Sequence, residues 1–163
     1  MATSWRGFVN GLREQTGALS RRWEHWVSAS RTLMAVTGDT RCKASLRTLS
    51  LEQGWRILFA ETIEDGIRLQ TLDRVRVLIY DRQLPGIEWR HGLRSLLAQD
   101  QPMLPIVIAD DLSARLRSEV LNCGGYDLAR KPLEPECFVR LVNGAFALTE
   151  SIDSIENLTS PLS

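Results

Sequence analysis

Asp81 closes the run VLIYD, in which four apolar side chains lead to one carboxylate, and a Leu-Pro-Gly turn follows at 84–86. An acid at the end of a buried run can serve as a nucleophile, a metal ligand or an ion-pair partner. Leaving it buried and unpaired would be costly, so a partner is expected. Asp39 follows the apolar run TLMAV by three residues and precedes a helical stretch, which fits either a cation ligand or a helix N-cap. Asp110 and Asp111 follow PIVIA in a similar way. Other chemistries lack their residues. His91 has no Ser or Cys in a recognisable arrangement, which gives hydrolysis little support, and it reads as a surface residue. Thr-Gly-Asp at 37–39 is too short for a dinucleotide-binding loop. Cys42, Cys123 and Cys137 are odd in number, widely spaced and unlike a zinc pattern, which points to free thiols in a reducing compartment.

The elements that must hold these residues follow from periodicity. At 163 residues, 44% hydrophobic and 25% charged, the chain fits one globular domain with length to spare. Twenty basic residues cancel twenty acidic ones, so overall charge makes no case for direct DNA binding. No apolar run approaches the roughly 20 residues of a membrane span, and no secretory signal stands at the N-terminus; a cytoplasmic protein is expected. Short apolar runs at 32–36, 55–60, 75–80, 105–109 and 126–129 have strand length. They alternate with helical segments at about 40–53, 62–72, 88–99, 112–123 and 134–148. Thr62 with Asp65 three residues on is a variant capping box. Five such units predict an α/β fold over 32–148: a doubly wound five-stranded parallel sheet with helices on both faces. Ligands of such sheets sit beyond the carboxyl ends of the strands, where Asp81 lies.

Two segments flank this unit. Residues 1–31 place Trp5, Phe8, Val9, Leu12, Leu19, Trp23, Trp26 and Val27 at helical spacing, with five arginines against two glutamates, 5 − 2 = +3. This predicts an extra N-terminal amphipathic helix that packs on its own domain or on a partner, a homodimer through this helix included. Residues 149–163 are expected to form a polar, frayed C-terminal tail. With no further domain after Leu148, output is expected to pass through protein contact rather than an attached DNA-binding unit.

The order of elements, Asp81 with LPG at 84–86, the Gly-Gly turn at 124–125 and Lys131-Pro132 together resemble the receiver domain of two-component response regulators, over about Thr32 to Leu148. The resemblance implies a flavodoxin-like sheet of strand order 2-1-3-4-5 and a signalling phosphoprotein rather than an enzyme. A histidine kinase or other signalling protein would be its partner in a phosphorelay. Asp81 would be the phosphoacceptor, and Lys131, placed by a cis bond before Pro132, would bind the phosphoryl oxygens. Asp81 and Asp39 would hold Mg2+, which favours carboxylate oxygens.

The chain departs from that pattern at the metal and at the switch. The acidic pair usual after the first strand is replaced by Thr37 and Gly38, so weak magnesium binding is expected. The hydroxyl residue usual at the end of the fourth strand is replaced by Ala109, followed by Asp110, and neither donates a hydrogen bond to phosphate at neutral pH. The aromatic usual before the lysine is Leu128, with Tyr126 two positions earlier, expected on the same strand face. Two functions follow: a phosphorylated receiver, or a pseudo-receiver that signals as a phosphorylation-independent interaction module.

Overall fold

The computed structural model describes residues 31–159. The amphipathic helix expected over 1–31 therefore lies outside the described residues except for Arg31. Five strands and five helices alternate: β1 Thr32–Val36, α1 Thr40–Gln53, β2 Arg56–Ala60, α2 Ile63–Leu72, β3 Val77–Asp81, α3 Trp89–Leu97, β4 Leu104–Ala109, α4 Ala114–Asn122, β5 Asp127–Arg130 and α5 Pro135–Thr159. All strand pairs are parallel and the order is β2-β1-β3-β4-β5, as the resemblance implies.

Alternation along each central strand builds two cores. Leu33, Ala35, Val77, Ile79, Ile106 and Ile108 face one layer, where they meet Leu46 of α1 and Phe138, Val142 and Phe146 of α5. Met34, Val36, Leu78, Tyr80 and Val107 face the other, against Ile63 of α2, Leu93 and Leu96 of α3, and Leu116 and Val120 of α4. Strands covered on both faces read as unbroken apolar runs, which is why β1, β3 and β4 are conspicuous in the sequence.

Caps fix where the helices begin. The Thr62 hydroxyl accepts from the Asp65 amide at 3.1 Å and the Ser113 hydroxyl from the Leu116 amide at 3.1 Å, while the Glu88 carboxylate accepts from the His91 amide at 3.1 Å. These bonds trim the expected helices by a residue or two at their starts. Two expectations need correction. The last helix runs on to Thr159 instead of giving way to a tail at 149. Asp153, in the segment expected to fray, bonds Arg74 at 3.2 Å and also Arg76, and so ties the extension to the sheet. Tyr126 precedes β5, so strand alternation does not carry back to it: it packs in the α1/α5 layer, whereas Leu128 is buried in the other.

Candidate functional site

In this strand order the chain leaves β1 toward β2 and returns across β1 to β3, so the order reverses between β1 and β3. A crevice forms beyond the carboxyl ends of two such strands. Val36 pairs with Tyr80, so the residues that follow, Thr37 and Asp81, meet at that edge. Asp81 is 3% exposed and Thr37 is fully buried. The Thr37 hydroxyl donates to Asp81 Oδ2 at 2.6 Å, and the Gln83 amide donates to Asp81 Oδ1 at 3.0 Å. Lys131 Nζ reaches both oxygens, at 3.1 and 3.2 Å. Asp81 is thus paired and hydrogen-bonded on both oxygens, as a buried carboxylate must be.

Lys131 is the hub. It follows β5 directly; its bond to Pro132 is cis, and its side chain is only 8% exposed. Besides Asp81 it contacts Asp39 Oδ2 at 3.4 Å and Gln83 Oε1 at 3.1 Å. Burial alone would lower the pKa of its ammonium. The hydrogen bond and charge of Asp81, with Asp39 and Asp110 beyond it, outweigh burial and hold that pKa above the ordinary lysine value.

Asp39 fills both roles open to it. Its Oδ1 caps α1, accepting from the Arg41 and Cys42 amides at 2.9 and 3.2 Å, while Oδ2 faces Lys131. The Cys42 amide bond, helped by the Lys131 charge and the Arg41 amide, holds its carboxyl below the usual range and outweighs the opposing effect of burial. Cys42 lies in the α1 layer, where burial first and the charges of Asp81 and Asp39 next push its thiol up to about 12, so it stays protonated and inert. Asp110 is joined to the cluster through Gln83, whose Nε2 donates to Asp110 Oδ2 at 2.6 Å. Ala109 is buried at the end of β4 and pairs with Arg130. Leu128 is buried among Val107, Leu116 and Val120, away from the carboxylates. His91 is exposed on α3.

The structure brings Asp39, Asp81 and Lys131 into direct contact and Asp110 to the rim. Two contributors were not singled out as site residues in the sequence. Thr37 carried a signal, since a polar residue directly after β1 stands level with the one ending β3. Gln83, exposed in a loop, carried none.

Magnesium fits this donor set poorly. Among the described residues no group of three or more His, Cys, Asp or Glu side chains is placed to hold a metal ion. One oxygen of Asp39 is committed to the helix cap, the position level with Asp81 offers a hydroxyl instead of a carboxylate, and an ammonium already spans both oxygens of Asp81. A cation that sheds water reluctantly would have to displace that ammonium with few charged ligands in return.

Comparison with solved structures shows the same fold in response-regulator receiver domains. A CheY-like response regulator receiver domain protein from Methanospirillum hungatei superposes with a TM-score of 0.66 at 19% identity, covering 74% of this chain and 97% of that one. The receiver domain of the Saccharomyces cerevisiae response regulator Ssk1, solved with the histidine phosphotransfer protein Ypd1, gives 0.60 at 13% identity over 68% and 85%. In sequence, the chain is 28% identical over 107 residues to the transcriptional regulatory protein AfsQ1 of Streptomyces coelicolor; the match covers 63% of this chain and 45% of that protein, so the chain spans about half the length of this relative. No protein-family model matches. No helix among the described residues is long and apolar enough to cross a membrane.

Proposed function

We propose that this protein is a receiver-like signalling module of the two-component type that acts through protein contact and does not depend on phosphorylation of Asp81. The observation that carries this is the closed set of bonds on the Asp81 carboxylate: Thr37 donates to one oxygen, the Gln83 amide to the other, and Lys131 spans both. An acceptor carboxylate must present a free lone pair in line with the incoming phosphoryl group and needs charge neutralisation beside it. Here the neutralising charge is spent on the carboxylate itself. A histidine kinase, a phosphotransfer protein or a downstream regulator is the class of partner this fold suits, and the setting is cytoplasmic.

A second function, the phosphorylated receiver, is favoured by one specific feature. Asp81 and Lys131 bond each other at the carboxyl edge of the sheet, where the resemblance puts an acceptor and a phosphoryl-binding cation. Intact-mass measurement after incubation with acetyl phosphate and magnesium, with Asp81→Asn as control, separates the two. The expected result is no mass increase on the wild-type chain; stoichiometric labelling within minutes, lost in Asp81→Asn, would restore the phosphorylated receiver.

A further inference from the structure

The pole opposite Asp81 carries exposed apolar bulk. Leu51 is 85% exposed in the last turn of α1 and Leu72 is 76% exposed at the end of α2, while Leu148, Ile152, Ile155 and Leu158 are exposed on the far half of α5. Each crossover helix returns the chain to the edge where the next strand begins, so the ends of α1 and α2 lie at the amino edge of the sheet. The contacts of Asp153 with Arg74 and Arg76, just ahead of β3, hold the α5 extension at the same edge. Leu148, Ile152, Ile155 and Leu158 recur at steps of four and three, so they share one side of the helix. Large apolar groups gathered in this way mark a docking surface.

The described chain begins at this pole. Arg31 bonds Glu150 at 3.0 Å and Asn143 at 3.5 Å, and its guanidinium lies 5.6 Å from the Phe146 ring centroid, so α5 itself fixes where residues 1–30 join the fold. Those residues carry Trp5, Phe8, Leu12, Leu19, Trp23 and Trp26 at helical spacing. Residues 1–30 hold Arg6, Arg13, Arg21 and Arg22 against Glu14 and Glu24, whereas residues 141–163 hold no lysine or arginine; of their acids, Asp153 pairs with Arg74 and Arg76 and Glu150 with Arg31. Reach is sufficient, because residues 5–27 span about 35 Å even when fully helical, against about 15 Å from Leu148 to Leu158.

We propose that residues 5–27 dock in cis on the exposed apolar side of α5 between Leu148 and Leu158 and cover the amino-edge pole, leaving the Asp81 edge open. This docking is independent of whether Asp81 is phosphorylated. The test is hydrogen exchange on the full chain, comparing wild type with an Ile152→Glu/Ile155→Glu pair and a Trp23→Ser/Trp26→Ser pair, with sedimentation across a range of concentrations. The expected result is reciprocal: the isoleucine pair speeds exchange in residues 5–27, and the tryptophan pair speeds it in residues 148–158, each on the order of tenfold or more, with β3 and β4 unchanged and a monomeric mass throughout. Exchange in residues 5–27 that ignores the isoleucine pair would overturn the proposal. So would coupling that vanishes on dilution as the mass falls from dimer to monomer, which would make a second copy the occupant.

Discussion

Asp81 is held by three donors of different kinds, of which the two side-chain donors, Thr37 and Lys131, can be removed separately. Thr37→Val keeps the shape of the side chain and deletes only the hydroxyl that bonds Asp81 Oδ2, so urea unfolding should show a loss of about 1.5–3 kcal/mol, the range for hydrogen bonds to charged groups. Lys131→Met should cost at least as much, because it strands a carboxylate that is 3% exposed. The sign of the pH dependence is fixed by the raised pKa of Lys131. Its contribution is complete below the ordinary lysine value of about 10.4 and disappears as pH climbs through the raised folded value, so the stability difference between wild type and Lys131→Met should shrink on that alkaline limb. Asp39 behaves in the opposite sense. Its lowered pKa makes its contribution present above the ordinary value of 3.8 and lost as pH falls through the folded one. Asp39→Asn keeps the cap, since Asn caps about as well as Asp, but gives up this charge contribution, so neutral-pH stability should fall modestly and thermal unfolding scans should show a reduced acid dependence. Asp81 was legible in the sequence because a charge at the end of an apolar run is conspicuous, and Lys131 and Asp39 because the resemblance points to them. Gln83 was not, because its role depends on two loops meeting in space: its side chain accepts from Lys131 after β5 and donates to Asp110 after β4.

At the scale of elements, the strands were readable because burial on both faces removes polar residues from β1, β3 and β4. The start of α2 was legible because Thr62 and Asp65 mark it, whereas the caps at Glu88 and Ser113 were not singled out and those helices begin one and two residues later than expected. The end of α5 was misjudged for a physical reason. SIDSIENLT is polar enough to read as a tail, and what keeps it in place is an ion-pair cluster of Asp153 with Arg74 and Arg76, residues remote in sequence. The α3 layer contains a close approach that local pattern cannot show. Gly92 sits directly over the buried hydroxyl of Tyr80, and a methyl group there would run into it. Burial, with the nearby Glu88 and Asp81 charges, pushes that phenol up to about 12, so it stays neutral. Gly92→Ala gains helix propensity but overpacks this contact, and a net loss of about 1–3 kcal/mol in chemical denaturation is expected.

For the whole molecule, the two ends of the sheet carry different tasks. The carboxyl edge gathers the charges of Asp39, Asp81, Asp110 and Lys131, and the amino edge gathers apolar side chains beside the point where residues 1–30 join. Thr37, the Gln83 backbone amide and Lys131 occupy the bonding capacity of Asp81 that magnesium and phosphate would need. Calorimetric titration of magnesium into the 163-residue chain, beside Asp81→Asn and Thr37→Asp, is the sharpest test of that occupancy. The expected result is no saturable binding to the wild type in the millimolar range and a measurable gain in Thr37→Asp, which supplies a carboxylate level with Asp81. Saturable wild-type binding that disappears in Asp81→Asn would contradict it.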